Sequence, residues 1–249
     1  MHRKVTSRIL ACVGVLVFVL LVQTVGYYRL LGAAWPSVTS VVEYASRPSV
    51  LSLLARATIK TMSVVAGAYG LGCLIAVVVS AVAHLNPILR PGFDRLATFL
   101  NAIPAVAIAP VLIILTTNYV AGVSLASLYV FFIVYMASTA GLDGLPKVYR
   151  DLFSVLGASK LKRFLRFDLI YALPFVLNGM KQAVPAAIVG AILAEWFSGS
   201  GGLGVVILSA MRNVQITLLW SAMLCASFMA LILYAVIGGL EQLARSRIL

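Results

Sequence analysis

The chain has 249 residues, 62% of them hydrophobic and 10% charged, with a mean hydropathy of +1.07 and a net charge of +12. A soluble domain of this length needs far more charge to cover its surface, so the composition excludes one. It also excludes the nucleic-acid reading of the positive charge, because a membrane protein keeps Lys and Arg in its cytoplasmic loops. Apolar runs of about 20 residues, the length that crosses a ~30 Å hydrocarbon core, recur along the chain. They are continuous and do not alternate, which predicts an all-α polytopic membrane protein and not a barrel.

The first predicted span is Ile9–Leu31. Its apolar stretch is too long for a signal peptide and ends in Tyr27 and Tyr28, residues suited to a membrane interface, so it reads as a retained helix. Gly32–Ala57 follows, with a short surface helix expected before the second span, Thr58–Ala83. That span carries small residues on two helical rows, Ala66 with Gly70 and Ala68 with Gly72 and Ala76, which predicts burial among other helices. The third span, Leu96–Thr117, contains NAIPAVAIAPVLIIL, where Pro104 and Pro110 are expected to bend the helix. The fourth is Ala121–Leu142.

In the segment that follows, KVYRDLFSVLG places Val148, Leu152 and Val155 or Leu156 on one face, with Arg150 and Ser154 opposite. This is a short amphipathic helix that ends at Gly157, where glycine leaves helical geometry cheaply. Lys160, Lys162, Arg163 and Arg166 then alternate with apolar residues, predicting a second helix laid along the inner leaflet. The fifth span, Pro174–Trp196, has Asn178, Lys181, Gln182 and Pro185 on one face. Lys181 either faces a water-filled interior or snorkels about 10 Å back to the interface. Glu195 closes this span. The following FSGSGGLGVVILSAMRNVQ is too short and polar to cross twice; it either dips into the outer leaflet or lies along it as a short helix from Leu203 to Met211. The sixth span is Ile216–Leu240.

Placing the N-terminus inside puts 13 of the 19 Lys and Arg in inner segments and 5 in outer ones, with Lys181 inside a span. Both termini are therefore expected to be cytoplasmic. Gly199 to Gly204 fits G-x-G-x-x-G, but it follows a membrane helix with no βαβ unit, so it reads as a flexible turn or gate-side hinge and not as a dinucleotide site. Cys12, Cys73 and Cys225 have no metal-ligand spacing, and His2 and His84 are too few for a metal site. No phosphate-binding G-x-x-x-x-G-K-[ST], H-E-x-x-H or G-x-S-x-G sequence is present, which argues against an enzyme. The acidic residues fall in loops or at span ends, which disfavours the main alternative, an ion-coupled secondary carrier.

The segment around Gly157 resembles the cytoplasmic loop of permease subunits of binding-protein-dependent ABC importers, of form E-A-A-x3-G-x9-I-x-L-P. Counted from Gly157, Asp151 stands at the Glu position, Leu152 and Phe153 at the two Ala positions, and Phe167 at Ile. Leu169 matches Leu, Ile170 replaces Pro, and a second Leu-Pro follows at Leu173-Pro174. NAIPAVAIAPVLIIL and AEWFSGSGGLGVVI are similar to segments of the nitrate, sulfonate and taurine branch, and the resemblance covers roughly residues 51–240. It implies a type I importer permease of about six transmembrane helices, one domain over 1–249 with the coupling loop at roughly 143–170, in a bacterial inner membrane. It further implies a second permease copy, an ATPase subunit that binds ATP and Mg, and an extracytoplasmic solute-binding protein, with no cofactor in this chain. Coupling to the ATPase is then expected at Val148, Asp151, Leu152, Val155, Gly157, Ala158 and Ser159. Pathway or gate residues are expected among Asn178, Lys181, Gln182, Glu195, Gly201 and Gly204. The branch's usual cargo is a small anion such as a sulfonate or nitrate; relatives that carry pyrimidines or vitamin precursors supply the alternative.

Overall fold

The computed structural model describes residues 2–248 apart from positions 156, 158 and 200, and the regular structure among them is helical throughout. Eleven helices follow in order: α1 His2–Tyr27, α2 Val38–Ala45, α3 Pro48–Leu85, α4 Arg90–Ala102, α5 Ala105–Leu115 and α6 Asn118–Asp143. After these come α7 Lys147–Val155, α8 Lys160–Arg163, α9 Leu169–Ser198, α10 Leu203–Arg212 and α11 Ile216–Ile248. A π-helical turn at Phe164–Asp168 joins α8 to α9 without a break. Four of these stretches are long and apolar enough to cross a membrane: Pro48–Leu85, Asn118–Asp143, Lys160–Ser198 and Ile216–Ala244.

The predicted third span is the bent pair α4 and α5, which turn 93° at Ile103 and Pro104. Proline disfavours helical geometry in the residue before it. Ile103 accordingly lies extended at ψ 124°, and Pro104 begins α5 as its cap at ψ 122°. Pro110, by contrast, sits inside α5. The pair still carries the chain from one end of the bundle to the other, since Arg90 contacts Asp143 at one end and α6 starts at the other.

Two further boundaries differ from the sequence expectation. The second span begins at Pro48, ten residues before Thr58, because proline suits the first helical position and nothing after it interrupts α3. The basic stretch from Lys160 is not a separate surface helix but the first turns of the fifth span. Ser159 caps it by accepting the Lys162 N–H at 3.3 Å, and no helix-ending glycine intervenes before α9.

The core is three long helices, with α6 held between α3 and α9. Small residues set the approach. At Gly72 of α3 a Cβ would lie 2.7 Å from Val130 Cβ, and at Gly190 of α9 it would lie 2.7 Å from Ala126 Cα. Of the two small-residue rows on α3, Ala68, Gly72 and Ala76 are buried against α6, whereas Gly70 meets open space. At one end, Trp220 of α11 donates its indole N–H to the Ala34 carbonyl and stacks edge-on with Trp35, while Gln23 of α1 exchanges hydrogen bonds with Thr39.

The two rows separate by a simple measurement. Gly72→Ala is expected to destabilise the detergent-purified protein by about 1–3 kcal/mol through overpacking. Gly70→Ala should leave its melting temperature unchanged or raise it, because the open site accepts the methyl group and alanine favours the helix.

Candidate functional site

Three polar assemblies and one unpartnered helix define the candidate site. At the end of the bundle away from the basic run, Glu195 is buried at 2% exposure on α9. Its carboxylate accepts hydrogen bonds from the Thr61 hydroxyl at 2.8 Å and from the Gly204 N–H at 2.7 Å. Thr61 in turn accepts the Leu203 N–H at 2.8 Å. Together they satisfy two of the free N–H groups at the start of α10, Leu203 and Gly204, where a carboxylate also opposes the helix dipole. The glycines make this possible. A Cβ on Gly202 would fall on the Glu195 carboxylate itself, and one on Gly204 would lie 2.8 Å from Glu195 Cβ. Gly199 and Gly201 take the left-handed conformation with φ 63° and 85°, and the Lys60 ammonium lies against Gly201. The segment expected to be a flexible turn is thus a tied knot. Its G-x-G-x-x-G does cradle an anion at a helix N-terminus, and the anion is a side chain of the same protein.

Within the bundle, the stripe predicted on the fifth span divides. Lys181 turns toward α11, where its ammonium is 2.6 Å from the Glu241 carboxylate and 5.6 Å from the Tyr234 ring centroid. Asn178, Gln182 and Pro185 remain on the face of α9 that is not covered by other helices, with Val189 one turn on. Asn178 also lines a cleft of about 930 Å³ between α7 and the first turns of α9, walled by Tyr149, Phe153, Phe167, Tyr171 and Phe175.

The basic end holds a chain of charges. Arg90 pairs with Asp143 (Nη1–Oδ1 2.7 Å) and with Asp94 at 3.5 Å, while Tyr135 donates to Asp94 at 2.6 Å. His84 bridges Asp143 at 3.5 Å and Asp168 at 3.0 Å, and Arg163 reaches Asp168 at 3.3 Å. These links gather the ends of α3 and α6, the start of α4 and the π-helical turn.

Beyond them stands α7. Its predicted apolar face is present but uncovered: Val148 is 75%, Leu152 49% and Val155 85% exposed. The Phe153 ring packs on Phe167 at 3.9 Å between centroids, and Tyr149 and half-exposed Leu152 line the cleft beside it. Asp151 is exposed, Gly157 leaves the helix at φ 71° as expected, and Ser159 caps α8. Ala158 lies outside the described residues.

Sequence reasoning missed Thr61, His84, Asp168 and the Glu241 partner of Lys181. Ionisable residues at membrane depth come in pairs, and the lone predicted lysine was the signal that a carboxylate had to be found for it.

A family profile described as binding-protein-dependent transport system inner membrane component matches residues 68–249. The chain is similar to a probable ABC transporter permease protein of Haemophilus influenzae, 31% identical over 66% of this chain and 65% of that protein. It is 24% identical to the formylaminopyrimidine transport permease protein ThiX of Halalkalibacterium halodurans, over 74% of each chain. It is 25% identical to the bicarbonate transport system permease protein CmpB of a Synechocystis species, over 75% of this chain and 67% of that one. The chain thus spans slightly under two thirds of the first relative's own length.

Two sets of variants test the polar assemblies. Glu195→Ala leaves the Gly204 N–H and Thr61→Val the Leu203 N–H without an acceptor, each at about 1–3 kcal/mol for a buried unsatisfied donor, and both should lower the melting temperature. Lys181→Met is expected to destabilise more than the exchanged pair Lys181→Glu with Glu241→Lys, because breaking a buried ion pair strands a charge.

Proposed function

As this chain belongs to the family of binding-protein-dependent transport system inner membrane components, we propose that it is the permease subunit of an ATP-driven importer that moves a small solute by alternating access. It is a multi-pass membrane protein and a transport component, not a catalytic one. In the proposed complex an ATPase subunit, holding ATP and Mg, docks at the basic end, which faces the cytoplasm together with both termini. A solute-binding protein delivers cargo at the opposite end. A second copy of the chain packs on the uncovered face of α9, so that Asn178 and Gln182 front the passage between the two copies.

The observation that carries this reading is the uncovered apolar face of α7. A short helix with Val148, Leu152 and Val155 turned to solvent costs free energy in a lone chain, and a protein groove is what offsets it. Its position beside the basic run supports a place outside the membrane, on the side proposed for the ATPase. Gly157 matters for its φ, which fixes the direction in which α7 leaves α8. Closure of the ATPase on ATP then moves α7, and the solute path opens to alternate sides because ATP favours one arrangement of the complex over the other.

The relatives support two cargo classes. A small anion is favoured by the likeness to the bicarbonate permease and by the nitrate and sulfonate pattern of the sequence. A pyrimidine derivative is favoured by the likeness to ThiX. Lys181 gives no weight to the anion, because its charge is engaged by Glu241.

Affinity capture from detergent tests the reading. The chain should retain a stoichiometric ATPase, and its absence would defeat the assignment. Val148→Asp with Val155→Asp is expected to abolish that capture while membrane insertion stays normal. Gly157→Pro, which cannot adopt a positive φ, should abolish uptake and stimulated ATP hydrolysis; unchanged uptake would remove α7 from the coupling role.

A further inference from the structure

Asp168 is the most costly residue in the basic-end network. It is 1% exposed, at the last position of the π-helical turn, on the only covalent path from α7 and α8 to α9. Its Oδ2 accepts from both His84 and Arg163, whereas its Oδ1 has no partner among the described residues. A buried network of this kind adds little net stability over an apolar one of similar size, although removing Asp168 alone would strand His84 and Arg163. What it does do is geometric. Through His84 it ties the base of the coupling segment to the last turn of α3, and His84 continues to Asp143 at the end of α6 and so to Arg90 at the start of α4.

We propose that Asp168 and His84 form a mechanical latch that makes the coupling segment and the ends of α3, α4 and α6 move as one body, so that displacement of α7 reaches the far end of the bundle. This rests on the permease reading above. Two features suit the pair to that task. A π-helical turn is a local register irregularity of the kind found at functional sites, and here it carries Asp168 at its last position. One carboxylate oxygen, Oδ2, holds both the His84 ring and the Arg163 guanidinium, so the turn and the end of α3 are joined at a single atom. A contiguous chain of hydrogen bonds and ion pairs of this kind is a physical carrier of coupling between distant sites. Asp168 and His84 are positioning residues: they touch neither cargo nor ATP.

The test uses the full complex of permease and captured ATPase in lipid nanodiscs, with all three cysteines replaced by alanine. A spin label is placed at Ile59, an exposed position on α3 toward the other end. The distance between the labels of the two copies is measured with and without ATP and vanadate. Wild type is expected to show an ATP-dependent shift. Asp168→Leu should retain stoichiometric ATPase and ATP hydrolysis at a lowered melting temperature, since His84 and Arg163 lose their acceptor, while the shift falls roughly tenfold. His84→Ala should behave alike, and decides the matter should Asp168→Leu fail to accumulate. A wild-type shift in both variants, or a shift lost only in proportion to lost assembly, overturns the latch. If the wild-type chain captures no ATPase, the permease reading falls first and the latch with it, a result distinguishable from a complex that assembles and moves without Asp168.

Discussion

Helices in hydrocarbon gain almost nothing from burying apolar side chains against one another, because the lipid they leave is equally apolar. Everything in this structure depends on the alternative, which is backbone approach through missing side chains. The α6 helix is held on one flank by Gly72 of α3 and on the other by Gly190 and Gly179 of α9, at contacts where a single methyl group would collide. Close packing of this kind builds one body of three helices. It also leaves the outer surfaces of α1, α5 and α11 apolar and uncovered, as lipid requires.

The polar residues then distribute themselves around that body in a consistent way. At one end a carboxylate and a threonine close the start of α10; at the other, alternating cations and anions fasten four helix ends. Between them a single lysine is matched to a glutamate on α11. Each assembly satisfies its own charges inside the chain. Among the described residues, the face of α9 with Asn178 and Gln182 and the face of α7 with Val148 and Val155 are left uncovered, and they are where the proposed complex puts its partners.

Much of this was legible beforehand, and the reasons are local. The order of the spans, the small-residue row at Ala68, Gly72 and Ala76, the turn at Gly157 and a helix from Leu203 as one of two readings follow from periodicity and from what glycine and proline permit. The early start of α3 escaped because length alone does not say where a helix leaves the membrane. The continuity of α8 with α9 escaped because a basic amphipathic stretch reads alike on a surface and at the foot of a span. Pairings such as Thr61 with Glu195, or His84 with Asp168, join residues 134 and 84 positions apart. No spacing rule reaches that far. The 93° turn at Pro104 was announced by the proline, but its size depends on Ile103 also becoming extended.

The tied start of α10 has a bearing on traffic. An open helix N-terminus is an attractive resting place for a negatively charged solute, and a carrier with such a trap along its route would hold its cargo when it ought to let go. Here the chain has already occupied that berth with its own Glu195. On the proposed route, a solute reaching the start of α10 would meet two N–H groups already engaged within the chain. For a machine that works by handing its load onward, a slippery threshold is worth more than a sticky one.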